Sequence, residues 1–135
     1  MPDFHDSQIA SWQILIVDEE PDNLHVPMQL FQTYGATVLI AEDGERGLQA
    51  LARLSSPTFV LLDLSMPVMD GWEMLKRLRA DDRYRDLPVI ALTAHAMVGD
   101  AEKAPLAGFD GYVTKPFILQ NLIDDIKAIL SQEIG

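Results

Sequence analysis

The sequence predicts an α/β fold, a doubly wound five-stranded parallel sheet with helices on both faces. Three observations lead there. Short, branched, apolar runs recur along the chain without in/out alternation, the pattern of strands covered on both sides. Segments with helical spacing separate those runs. Capping and turn residues fall at the joints between the two kinds of segment. Strands that alternate with helices pair in parallel through right-handed crossovers.

In chain order, residues 1–11 show no periodicity and are expected to form a flexible N-terminal tail, leaving 12–133 as one folded domain. The first strand is Ile14–Val17. A first helix follows and stops before Gly35, which suits a C-terminal cap. Pro27 falls inside that helix, where its missing N–H should kink the helix or delay its start. The second strand is Thr37–Ile40. Asp43-Gly44 then opens a helix with Asp as N-cap, and Leu48, Leu51 and Ala52 share one face of it. The third strand is Thr58–Leu62. Asp70-Gly71 opens the next helix, with Met74, Leu75 and Leu78 on its inner face. Pro88 introduces the fourth strand, Val89–Leu92, at a position where an N–H can be spared. A fourth helix, around Asp100–Ala107, contains Pro105 and raises the same question as Pro27. The fifth strand, Gly111–Thr114, is short. The last helix carries the clearest stripe: Leu119, Leu122, Ile123, Ile126, Ile129 and Leu130.

Composition narrows the function. A chain of 135 residues that is 48% hydrophobic can bury one real core. A formal charge of −11 repels nucleic acid phosphates and anionic lipid, so neither is an expected partner. Without cysteine there is no disulfide and no thiolate metal site. No apolar stretch approaches the roughly 20 residues that cross a bilayer. The start, Met1 to Gln8, lacks the cationic and apolar segments of a signal peptide, so the cytoplasm is the expected compartment.

In open parallel sheets ligands bind beyond the carboxyl ends of the strands. The first strand ends in Asp18-Glu19-Glu20, the third in Asp63, the fourth in Thr93 and the fifth in Thr114-Lys115-Pro116. A strand-end acid is usually a solvated surface charge. The combination says more, because crowded carboxylates repel unless a cation joins them. Oxygen donors without thiolate or clustered imidazole suit magnesium far better than zinc. On such a rim a carboxylate can attack phosphorus to give an acyl phosphate. A magnesium ion would offset the charge on the phosphoryl oxygens, as would a lysine, and a threonine hydroxyl can donate to them.

The segments Ile14–Asn23, Leu62–Gly71, Ala91–Ala94 and Gly111–Pro116 resemble the response regulator receiver family of two-component signalling, over about Trp12 to Ile129. The resemblance implies the flavodoxin-like strand order 2-1-3-4-5. It implies that Asp63 is the phosphoacceptor and that Asp18, Glu19, Asp63 and the backbone carbonyl of Ser65 hold Mg2+. Thr93 and Lys115 match the residues that contact the phosphoryl oxygens, and Ala94 a small position beside the threonine. Tyr112 matches an aromatic switch residue that turns inward when Thr93 moves toward the phosphate. The Lys115–Pro116 bond is expected to be cis. A sensor histidine kinase or a histidine phosphotransfer protein is the implied donor. The implied output is a downstream protein bound through the face of the fourth helix, fifth strand and fifth helix. The domain assists its own phosphorylation and dephosphorylation without turning over an external substrate, so no enzyme is expected.

The chain departs from the family pattern at Glu19, where similar domains carry aspartate. The longer arm is expected to fold back or act through water and to weaken metal binding. The rival reading is a pseudo-receiver, an interaction module in which Glu19 impairs phosphorylation. A phosphatase with an aspartyl nucleophile is a further rival, against which stands Ser65 where such enzymes carry a second acid. His5 is assigned to the tail, His25 to a solvent-facing helix surface, and His95 to the rim. The interleaved Arg77, Arg79, Arg83, Arg85 and Asp81, Asp82, Asp86 are read as a mixed solvated surface.

Overall fold

The computed structural model describes residues 7–63, 71–93, 109–114 and 119–134. Five strands, β1 (Gln13–Val17), β2 (Thr37–Ala41), β3 (Phe59–Asp63), β4 (Val89–Thr93) and β5 (Gly111–Thr114), form one sheet. All four pairings are parallel and the order is β2-β1-β3-β4-β5. The described helices are α1 (Ser7–Ala10), α2 (Pro21–Thr33), α3 (Gly44–Leu51), α4 (Gly71–Ala80) and α5 (Leu119–Ile134). This is the expected doubly wound α/β fold. The expected fourth helix, with Pro105, lies outside the described residues.

Because successive residues of a strand face opposite sides, each central strand feeds two cores. Leu15, Val17, Val60, Leu62, Val89 and Ala91 pack with Ala50, Leu51, Met74, Leu75 and Leu78 of α3 and α4. Ile14, Ile16, Phe59, Leu61, Ile90 and Leu92 pack with Leu24 and Phe31 of α2 and with Leu122, Ile126 and Leu130 of α5. Burial on both faces is why the strands read as unbroken apolar runs.

Local chemistry fixes the helix ends. Asp43 caps α3, its Oδ1 accepting the Arg46 N–H at 2.8 Å. At the far end of α2, Gly35 takes φ +94°, a conformation that costs glycine little. Its N–H donates to the Gln32 carbonyl at 2.9 Å, and the Ala36 N–H donates to the Phe31 carbonyl at 3.1 Å. These two bonds satisfy carbonyls that the helix end would otherwise leave without donors.

Three expectations are corrected. Pro27 does not delay the helix: α2 starts at Pro21 and runs on past Pro27 to Thr33. Pro21 presets φ at the first turn, and Pro27 is buried on the stripe of Leu24 and Phe31. Ala52 leaves the inner face of α3, lying one residue past the helix and exposed. The tail expected over residues 1–11 does not extend through residues 7–11, because Ser7–Ala10 is a helical turn with Ile9 only 1% exposed. One turn is too short to carry periodicity. Ile9 joins the core in which Trp12 meets Phe59 edge-on, ring centroids 5.3 Å apart.

Candidate functional site at the carboxyl ends of the strands

The register of the sheet brings the predicted acids together. Val17 of β1 lies opposite Leu62 of β3, so the next step places Asp18 opposite Asp63. Neighbouring strands are about 4.8 Å apart. The ladder on the other side of β1 also continues, since the Asp18 N–H donates to the Ala41 carbonyl of β2 at 3.1 Å. Asp18 is therefore held at the sheet's end although it stands just past the strand.

Among the described residues Asp18 and Asp63 are the two buried polar or charged side chains, at 0% and 6% exposure. Burying a carboxylate is costly unless hydrogen bonds or a cation compensate. Asp18 Oδ1 accepts the Glu20 N–H at 3.0 Å. Two buried acids at facing strand ends are oxygen donors of the kind a hard divalent cation takes, although among the described residues no group of three or more acids or histidines could hold a metal ion. Glu19, between Asp18 and the start of α2, is exposed. It belongs to the same rim but not to the buried pair.

The remaining predicted residues fall as follows. Thr93 ends β4, one step beyond Leu92, which pairs with Asp63, and it stands opposite Thr114 of β5. Its backbone thus sits at the same end of the sheet as the two acids. Tyr112 lies opposite Ala91 within β5 and is 41% exposed. Ser65, Ala94, His95, Lys115 and the Lys115–Pro116 bond lie outside the described residues. His25 is exposed on α2, as expected.

The arginine-rich segment after α4 is not uniform. Arg83 pairs with Asp81 and Arg85 with Asp82 on the surface. The side-chain and backbone hydrogen bonds from Arg83 hold the Asp81 carboxyl below its ordinary pKa. Arg79 behaves differently. Its Nη1 donates to the carbonyls of Tyr84, Arg85 and Leu87 at 3.2, 3.1 and 2.7 Å, and its Nη2 to Asp110 Oδ2 at 2.9 Å. Asp110 Oδ2 also accepts the Val89 N–H at 2.7 Å. One guanidinium thus ties the end of α4 to the starts of β4 and β5. Sequence patterning read it as part of a mixed surface because its acidic partner is 31 residues away.

A second missed feature is Gly111. A Cβ there would come within 2.7 Å of Ile129 Cδ1, so α5 packs directly on the backbone of the strand that carries Tyr112.

Comparison with known proteins identifies this arrangement. The family model described as the response regulator receiver domain matches residues 14–127. The chain is 34% identical over 117 residues to the polar-differentiation response regulator DivK of Brucella anthropi, covering 87% of this chain and 94% of that protein. It is 36% identical over 118 residues to the DNA-binding dual master transcriptional regulator RpaA of Synechocystis sp., covering 87% of this chain but 48% of that protein. It therefore spans nearly all of the first relative and about half of the second. The receiver domain of sensor histidine kinase PA1611 from Pseudomonas aeruginosa superimposes with a TM-score of 0.78 at 30% identity, over 90% of this chain and 98% of that one. That structure holds a magnesium ion coordinated in its active site cleft.

Proposed function

This chain belongs to the response regulator receiver domain family, and from that premise we propose that it takes a phosphoryl group onto Asp63 and thereby changes which protein it binds. The donor is a sensor histidine kinase or a histidine phosphotransfer protein. The observation that carries the proposal is the facing pair of buried acids, Asp18 and Asp63, at the carboxyl ends of β1 and β3.

In this mechanism a carboxylate oxygen of Asp63 forms the new bond to phosphorus. The phosphorus–nitrogen bond of the donor breaks, and its electron pair stays on the donor imidazole. Asp18, Glu19, Asp63 and the backbone carbonyl of Ser65 are the residues to hold Mg2+. Bound magnesium supplies positive charge against the phosphoryl oxygens. Burial of Asp18 and Asp63 keeps the reacting carboxylate in a low-dielectric setting, where fixed charges act strongly. Lys115 and the hydroxyl of Thr93 complete the set of groups around the phosphoryl oxygens. Movement of Thr93 toward them leaves room for Tyr112, now exposed on β5, to turn inward. The surface that reads this change is formed by the segment around 100–107, β5 and α5. Such a ligand-dependent shift needs only that the two arrangements differ in their contacts with the phosphoryl group.

The unit proposed to act is residues 12–133, a signalling module with no external substrate, working in the cytoplasm without nucleic acid or membrane as partner. Incubation with a small phosphodonor and magnesium, followed by phosphate-affinity electrophoresis, tests the proposal. A phosphorylated band is expected that is lost with EDTA and with Asp63→Asn. If wild type and Asp63→Asn are indistinguishable, the chain is the pseudo-receiver that the exposed Glu19 also suggests.

A further inference from the structure

We propose that α1 is a detachable strap: residues 7–11 leave the base of the sheet as one unit while the five strands stay paired, opening an apolar seat that Ile9 fills when the strap is closed. The seat lies at the amino ends of the strands, away from the acidic rim.

The hydrogen bonds draw the boundary at Trp12. From its carbonyl onward the chain is tied into the sheet, since that carbonyl accepts the Thr37 N–H of β2 at 3.0 Å. Gln13 is held from the side of β3. Its N–H donates to Thr58 Oγ1 at 2.9 Å, and its carbonyl accepts the Thr58 N–H at 2.7 Å. Its side-chain Oε1 accepts the Ser56 N–H at 2.8 Å. On the other side of Trp12 the bonds give the turn its own shape. The Gln8 carbonyl accepts the Ser11 N–H at 3.2 Å and the Ser11 hydroxyl at 2.7 Å, and the Ile9 carbonyl accepts the Trp12 N–H at 2.9 Å.

The packing divides at the same place. Ile9 is 1% exposed, in the core that holds Trp12, Phe31 and Phe59, while Gln8, Ala10 and Ser11 are exposed. Burying one isoleucine favours a closed segment by about 10- to 150-fold. That is far less than the several thousandfold or more, roughly, by which a stable domain favours its folded state. A single turn is too short to stay helical away from the sheet, so an open strap unravels. The base of the fold is shaped to receive the closed one. Gly35 ends α2 at φ +94°, and a Cβ there would come within 3.2 Å of Ala10 Cβ. A lightly held segment beside a firmly paired sheet opens on its own, as the low-stability parts of a fold do.

The test is amide hydrogen exchange of the full chain by NMR, without and with low urea, in wild type, Ile9→Val and Ile9→Ala. In wild type the Trp12 amide should be protected about 10- to 150-fold, with little response to urea because strap opening exposes little surface. The Thr37 amide should be protected roughly several thousandfold or more and should lose that protection steeply with urea. Ile9→Val should lower Trp12 protection about two- to tenfold. Ile9→Ala should leave it near that of an unfolded peptide, with the Thr37 amide still protected. Equal protection and equal urea response at Trp12 and Thr37 in wild type would mean that α1 opens only with the whole domain, which overturns the proposal. A Trp12 amide that exchanges in wild type like an unfolded peptide overturns it too, because the strap is then never closed. So does a Trp12 protection unmoved by both substitutions, since Ile9 then holds nothing.

Discussion

Arg79 gives the sharpest quantitative expectation. Replacing it with alanine removes at least the four donated bonds described above and leaves Asp110 with the Val89 N–H as its remaining donor among those described. Removing one partner of a fully buried ion pair costs about 3–5 kcal/mol. Here Arg79 and Asp110 retain 25% and 16% exposure, so solvent screens part of the interaction and can reach the abandoned carbonyls. The expected loss is about 2–3 kcal/mol. For a chain of 135 residues that corresponds to a fall in Tm of roughly 6–15 °C. Asp110→Asn keeps an oxygen for the Val89 N–H and should cost less, about 1 kcal/mol.

The assay is urea unfolding followed by far-UV circular dichroism. The midpoint should fall for Arg79→Ala with an unchanged slope, which marks a stability change without a change in the unfolded state. Arg83→Ala is the control, since its pairing with Asp81 lies on the surface, and its midpoint should fall only slightly, far less than that of Arg79→Ala. A loss below about 0.5 kcal/mol for Arg79→Ala, the range of ordinary surface substitutions, would refute the reasoning.

Ile9→Ala should cost about 2 kcal/mol or more in the same assay, because Ile9 is 1% exposed; no change would mean that α1 is not docked. Gly111→Ala should lose about 1–3 kcal/mol by overpacking against Ile129. Ile129→Ala should then cost less in that background than in wild type, and equal costs would deny the contact. Asp81→Asn should show a small, salt-sensitive loss at neutral pH. Because the carboxyl's pKa is lowered on folding, its stabilising effect is present above the unfolded pKa and disappears as the pH falls through the folded one; a difference from wild type that persists in acid would contradict this.

The fold was legible because each central strand is buried on both faces, so Ile14–Val17 and Val89–Leu92 announce themselves as unbroken apolar runs. The rim was legible because Asp18, Asp63 and Thr93 stand immediately at the ends of those runs. Three features resisted. The turn at Ser7–Ala10 is too short for any period, and Ile9 is buried in the core that holds Trp12, Phe31 and Phe59, which only tertiary packing assembles. Arg79 looks like its neighbours in composition, and its partner Asp110 is set by tertiary packing. Pro27 did not delay the helix as its missing N–H led one to expect, because α2 already starts at Pro21, and Pro27 is buried on the same stripe as Leu24 and Phe31.

The proposed function requires Asp63 to carry the phosphoryl group. Borohydride reduces an aspartyl phosphate to homoserine, leaving a permanent mark at the modified position. After treatment with a small phosphodonor and magnesium, peptide mass spectrometry should find homoserine at position 63 and at no other acid of the rim. Homoserine at Asp18, or a phosphorylated chain with residue 63 still aspartate, would contradict it.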